Sequence, residues 1–305
     1  MNSLLTFLAG IGLLVGGLFI MRFGLTNIFS HGFQTILTRL TLTPLRGIMF
    51  GAVAAAVMQS STALTLVTIG LISAEYLSFY AGLGIILGAN IGTCSTVQLL
   101  SIPVPASLWV PIFVLSGIVG FISKKHRSMA LAIIGLAGMF GGLSLINFSL
   151  SNFVALNTVV LWLETASHNP VYGIGSGIFL TFLFQSSSAA TALLMALADQ
   201  HLIDLLGAAY GVYGNNIGSC LPSLIVGLAA PLAAKRVAVA HFLLNLLGVI
   251  IFFPFTHFLT EMTTLLSGDL AGQVAILHTL FNVISSLAAL AVIRYYAKLI
   301  IFLIR

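Results

Sequence analysis

The chain has 305 residues, of which 59% are hydrophobic and only 6% charged, and its mean hydropathy is +1.17. Those proportions exclude a soluble globular domain and predict one integral, multi-pass domain over residues 1–305, held in a lipid bilayer. A net charge of +5 would raise a nucleic-acid partner in a soluble chain, but in a membrane protein Lys and Arg gather in cytoplasmic loops, so no nucleic acid is implied.

The first apolar run, Leu4–Ile20, is followed by Arg22, and Met1-Asn2-Ser3 lacks the positive start of a signal peptide, so it reads as a retained first span. Phe23–Thr43 carries scattered polar residues and is expected at the cytoplasmic interface. Gly47–Ala74 is long enough to cross, yet holds Gln59-Ser60-Ser61-Thr62 in its middle. Tyr80–Leu100, containing Gly88-Ala89-Asn90-Ile91-Gly92-Thr93-Cys94, and Leu108–Ile122 are spans. After Lys124, Lys125 and Arg127 comes another over Met129–Asn147. The earlier block then recurs: Pro170, Gln185, Asn216 and Cys220 each stand 126 residues after Pro44, Gln59, Asn90 and Cys94. One offset held over so many Gly, Pro, Gln, Asn and Cys positions marks an internal duplication, with repeat 1 at about 4–123 and repeat 2 at about 129–253. Val237–Phe253 closes repeat 2, and an extra C-terminal span follows at about 274–293. Ser149–Asn169 and Phe255–Gly272 are the sizeable outer loops, and Trp109 and Trp162 read as interface anchors. Cys94 and Cys220 read as small packing residues.

Gly47–Ala74 and Gly173–Ala198 either cross fully or dip in and return. If both are hairpins and the first span runs inward, all eleven Lys and Arg fall in the cytoplasm; if both cross, Lys124, Lys125 and Arg127 land outside. The hairpin topology puts the N-terminus outside and the C-terminus in the cytoplasm. It also makes the first span and its counterpart at Met129–Asn147 enter from opposite sides, so the repeats are inverted.

Non-helical backbone at membrane depth is tolerated only where protein or a water-filled cavity satisfies its polar groups, so a broken helix marks a pathway. Ser and Thr are preferred N-caps, and here they are expected to open the second limb of each hairpin. A helix N-terminus offers free N–H groups and about half a positive charge, which suits an anion. Two inverted tips meeting at the midplane would add donors from Gln59, Ser60, Ser61, Gln185, Ser186 and Ser187, an oxyanion cradle without Arg or Lys. Two helix ends leave a multiply charged anion undercompensated, and the remedy is a co-bound cation. Small hard cations take oxygen ligands, which Asn90, Thr93, Thr96, Asn216, Ser219 and Ser223 offer together with carbonyls freed near the glycines.

Plainer readings stand beside this one. Gly47/Gly51 and Gly173/Gly177 are Gly-x-x-x-Gly packing contacts. A single Gln-Ser-Ser is as readily a cap, but its recurrence beside Asn-Ile-Gly in both halves favours function. His241/Asn245 and His278/Asn282 share one helical face and read as interhelical hydrogen bonding. No His, Asp or Cys constellation accompanies the serines as a general base, so an enzyme is not expected.

At these motifs the chain resembles the type II sodium/phosphate cotransporter family, in particular its bacterial members. The resemblance rests on the paired Gln-Ser-Ser stretches, the Asn-Ile-Gly stretches, Lys235-Arg236 with His241 and Asn245, and His278 to Asn282. It implies substrate contacts at Gln59, Ser60, Ser61, Thr62, Gln185, Ser186, Ser187 and Ser188, and sodium sites near Asn90–Thr93 and Asn216–Ser219. Thr62 departs from the family's usual Ser but keeps a hydroxyl, and the short form, without the C-terminal regulatory domain of many bacterial relatives, is expected. The expectation is an all-α polytopic membrane protein, an inverted-repeat transporter with seven transmembrane spans and two re-entrant helical hairpins. It would cotransport Na+ and inorganic phosphate by alternating access, with no cofactor. An anion channel, a carrier of another oxyanion and a membrane scaffold subunit are the alternatives, and a homodimer is compatible with the sequence.

Overall fold

A computed structural model describes residues 3–29, 43–153, 163, 165 and 167–305. The described residues form helices and no strand: α1 (Ser3–Phe29), α2 (Pro44–Met58), α3 (Ser61–Ser73), α4 (Phe79–Leu100), α5 (Ala106–Ile122), α6 (Arg127–Phe153), α7 (Pro170–Phe184), α8 (Ser187–Asp199), α9 (Leu205–Leu228), α10 (Leu232–Phe252), α11 (Thr256–Leu266), α12 (Leu270–Ala291) and α13 (Ile293–Leu303). Five helical stretches, Ser3–Ile28, Phe79–Leu100, Lys124–Ser151, Leu232–Leu266 and Leu270–Ala291, are long and apolar enough to cross a membrane. Large apolar side chains such as Phe121, Val171 and Leu265 point outward, as a lipid-facing surface requires.

The duplication reappears in the backbone. Pro44 and Pro170 each open a helix at its first position, where the missing N–H is no loss, capped by Thr43 and Asn169. Both helices stop when a glutamine turns left-handed, Gln59 at φ 53° and Gln185 at φ 51°. The next serine is extended, at φ −158° for Ser60 and −159° for Ser186, and starts a new helix. The remaining non-glycine residues of positive φ among those described, Glu75 and His201, are again 126 apart. They close α3 and α8 with matching bonds, Tyr76 N–H to the Leu71 carbonyl and Leu202 N–H to the Leu197 carbonyl, both 2.9 Å.

Packing follows the small residues. α1 and α6 run antiparallel, with Gly10 against Gly142 and Ile146, Gly17 against Gly135 and Met139, and Gly24 against Ser128 and Ala132. α2 lies parallel to α4, and α7 parallel to α9. In those two seams Gly88 and Gly214 meet the carbonyls of Ile48 and Ile174 so closely that a Cβ would overlap the oxygen. α3 packs on α9 and α10 of the second repeat, and α8 packs on α4 of the first as well as on α6 and α12, so the second limb of each broken pair leans partly on the other half.

Several expectations change. Phe255–Gly272, read as a loop, contains α11, which turns Thr256, Leu259, Thr260 and Thr263 inward. Its threonines read as polar in a hydropathy window, but they bond backbone of the preceding turn and Thr256 also meets the Tyr213 hydroxyl at 3.1 Å. Beyond Val292 the chain forms α13, docked on α10 through the Tyr296 hydroxyl to the Ala240 carbonyl and Arg236 Nε to the Ile304 carbonyl at 3.0 Å. Trp109 lies over Gly141 in the seam with α6, whereas Trp162 and most of Phe23–Thr43 fall outside the described residues.

Candidate functional site

The two glutamine-serine breaks meet at one side chain. Arg22 of α1 donates from Nε to the Gln59 carbonyl at 2.7 Å and from Nη2 to Ser186 Oγ at 3.2 Å, so both tips lie within reach of a single guanidinium. This corrects two readings at once: Arg22 is not a loop charge, and the cluster does contain an arginine. Arg22 stands about seven residues before the end of α1, roughly 10 Å along the helix axis, which keeps it within the packed body. No Pro or capping pattern stops the helix at Arg22, but that continuation alone does not reveal its partners.

At each tip the serine hydroxyl caps the second limb, Ser60 Oγ accepting from Ala63 N–H at 3.1 Å and Ser186 Oγ from Ala189 N–H at 3.2 Å. The first two amides of each limb, at Ser61 and Thr62 and at Ser187 and Ser188, have no acceptor within their own helix by geometry and carry its positive end. Thr62 Oγ1 donates to the Ser219 carbonyl at 3.0 Å, tying the first tip to the Asn-Ile-Gly stretch of the other half. Ser188 is 1% exposed, and its Oγ has no hydrogen-bond partner among the described residues.

The two glutamines are not equivalent. Gln59 is 7% exposed; its side chain donates to the Ala56 carbonyl and accepts from Thr96 Oγ1. Gln185 is exposed, and among the described residues its side chain bonds only the Phe182 carbonyl, at 2.6 Å. The cause is in the sequence: 126 residues after Thr96 stands Pro222, which has no hydroxyl to hold the second glutamine.

The candidate cation ligands are all on α4 and α9, buried beside the tips. Asn90 Oδ1 accepts from His241 Nε2 at 3.1 Å while its amide nitrogen donates to Asn245 Oδ1 at 3.4 Å, and His241 Nδ1 faces Thr65 Oγ1 at 3.5 Å. The hydroxyls of Thr93, Ser219 and Ser223 bond carbonyls of their own helices, and Asn216 donates to the Val212 carbonyl at 2.9 Å. The first His-x-x-x-Asn pair therefore bonds between helices. The second does not: Asn282 donates to the His278 carbonyl in its own helix, and His278 Nδ1 has no partner among the described residues. Asn215, absent from the candidate set, bridges Thr181 of α7 and Thr191 of α8 and so holds the second pair of limbs to α9. Its counterpart in the first half is Ala89, so the repeat hid it.

The chain is similar to known proteins over most of its length. The family model described as Na+/Pi-cotransporter matches residues 13–147 and 150–288. The uncharacterized protein YqeW of Bacillus subtilis (strain 168) is 30% identical, covering 100% of this chain and 99% of its own. YjbB of Escherichia coli (strain K12), whose name assigns it provisionally to inorganic phosphate export, is 28% identical over 98% of this chain, which spans 55% of that protein's length. Sodium-dependent phosphate transport protein 2C of Mus musculus is 39% identical over 84 residues, 26% of this chain and 14% of its own. No solved structure gives a significant match to the chain.

Proposed function

The chain belongs to the Na+/Pi-cotransporter family, a family of transporters rather than enzymes, and from that premise we propose that it carries inorganic phosphate across the cell membrane together with sodium. The family supports phosphate as substrate and sodium as its co-transported ion, and the helices support a multi-pass membrane protein. The single observation that carries the site is the shared guanidinium: Arg22 bonds the first tip at Gln59 and the second at Ser186.

On this reading α2–α3 and α7–α8 are re-entrant hairpins entering from opposite sides. α5 and α9 join the five long stretches to make seven spans in one domain. The antiparallel seam between α1 and α6, which open the two repeats, supports an inverted arrangement, and the Lys and Arg of the loops favour the N-terminus outside and the C-terminus in the cytoplasm. Phosphate sits between the amides of Ser61, Thr62, Ser187 and Ser188, with donors from Gln59, Ser60, Gln185 and Ser186. Sodium binds beside it among Asn90, Thr93, Thr96, Asn216, Ser219 and Ser223, within reach through the Thr96–Gln59 and Thr62–Ser219 bonds. Rocking of one repeat against the other then exposes the site to each side in turn.

The test is radiolabelled phosphate flux into proteoliposomes under an imposed sodium gradient, with choline as control. Saturable, sodium-driven accumulation is expected; flux that is non-saturable and indifferent to sodium would identify a channel instead. Because YjbB is named for export, both directions of the gradient are measured.

A further inference from the structure

Arg22 enters the site from outside the duplicated motifs. Its 126-residue counterpart is Phe148, so one guanidinium serves both tips. No carboxylate among the described residues pairs with it; its contacts are the Gln59 carbonyl, Ser186 Oγ and the Phe19 ring, 5.7 Å from the guanidinium carbon. A guanidinium has five N–H donors in a planar fork suited to two oxygens of one oxyanion. The two bonds to the tips engage two of them.

The fixed charge follows. Two helix N-termini contribute about half a positive charge each, and an always-ionised guanidinium adds one, for a total of about two. That sum balances a divalent phosphate with no metal ion present, whereas helix ends alone leave about one negative charge uncompensated in a low-dielectric site. We propose that Arg22 is the resident countercharge of the oxyanion site, binding phosphate oxygens between the tips and standing in for one of the cations that charge balance would otherwise require. Sodium is then the coupling ion, bound on α4 and α9, and not the group that makes phosphate binding possible. This rests on the reading of the tips as the phosphate site.

The experiment is phosphate binding to the purified full chain by isothermal titration, across a sodium series with choline replacement, for the native protein, Arg22→Lys and Arg22→Gln. Arg22→Gln is expected to bind phosphate roughly 10- to 100-fold more weakly at fixed sodium, the loss of a charge-assisted bond. It is also expected to depend more steeply on sodium, because a metal ion must restore the missing charge. Arg22→Lys keeps the charge and loses the fork, so its affinity falls less and its sodium dependence stays native. Native affinity with native sodium dependence in Arg22→Gln overturns the proposal. A residue that merely latched the tips would reduce the folded fraction and leave the sodium dependence of the remainder unchanged, and that result overturns it equally. If Arg22→Gln fails to insert, the native protein decides: removal of sodium is expected to weaken phosphate binding by no more than tenfold, and a larger loss refutes the resident countercharge. Should the native chain bind no phosphate in saturating sodium, the site reading fails first; should it bind while Arg22→Gln behaves as native, only the role of Arg22 fails.

Discussion

Replacing each tip glutamine with glycine separates the turn from the chemistry. Gln59 and Gln185 sit at φ 53° and 51°, a conformation that costs a residue with a Cβ about 1–2 kcal/mol and glycine nothing sterically. Part of that relief is offset by the freedom glycine gives the unfolded chain, about 0.5–1 kcal/mol. Gln185→Gly removes only a bond to the Phe182 carbonyl from an exposed side chain, so it is expected to match native stability or exceed it by about 1 kcal/mol. Gln59→Gly also orphans the buried Thr96 hydroxyl, at about 1–3 kcal/mol, and is expected to be the less stable of the two by about that amount. Thermal unfolding of the detergent-purified variants measures this order, and sodium-dependent phosphate uptake in proteoliposomes measures function. If the glutamines bind substrate, both variants lose uptake, including the one that gains stability. A stable Gln185→Gly carrier with native uptake would mean that the second glutamine is only a turn residue, and the substrate assignment there would be withdrawn.

Thr96→Val keeps the shape and removes the hydroxyl that holds Gln59, so half-saturation for phosphate is expected to rise about fivefold, corresponding to roughly 1 kcal/mol, in the uptake assay. Gly88→Ala and Gly214→Ala each press a methyl into the carbonyl of Ile48 or Ile174; a loss of about 1–3 kcal/mol or failure to insert is expected on thermal unfolding. Gly16→Ala on α1 meets open space and is expected to be neutral or slightly stabilising in the same measurement.

The spacing of chemically special residues carried much of this fold. Four left-handed residues in two pairs, two proline starts and two serine caps all follow from a repeat visible at Pro44, Gln59, Pro170 and Gln185. Local chemistry dictates them: proline cannot continue a preceding helix, and serine competes for the next amides. Arg22 was not legible, because an arginine after an apolar run reads as a loop flank, and its true partners are 37 and 164 residues away. α11 was hidden for a related reason, since threonines that satisfy themselves on their own helix count as polar by composition. The unequal holding of Gln59 and Gln185 was legible in principle, as Thr96 of the first repeat corresponds to Pro222 of the second, but it required knowing that position 96 approaches the tip.

The most direct measurement is an experimental structure of the chain with phosphate and sodium bound. Phosphate is expected between the two tips, its oxygens within hydrogen-bond distance of the amides of Ser61 and Ser187 and of the Arg22 guanidinium. Phosphate bound elsewhere, or residues 47–74 or 173–198 crossing as unbroken helix, contradicts a substrate site made from two converging serine tips.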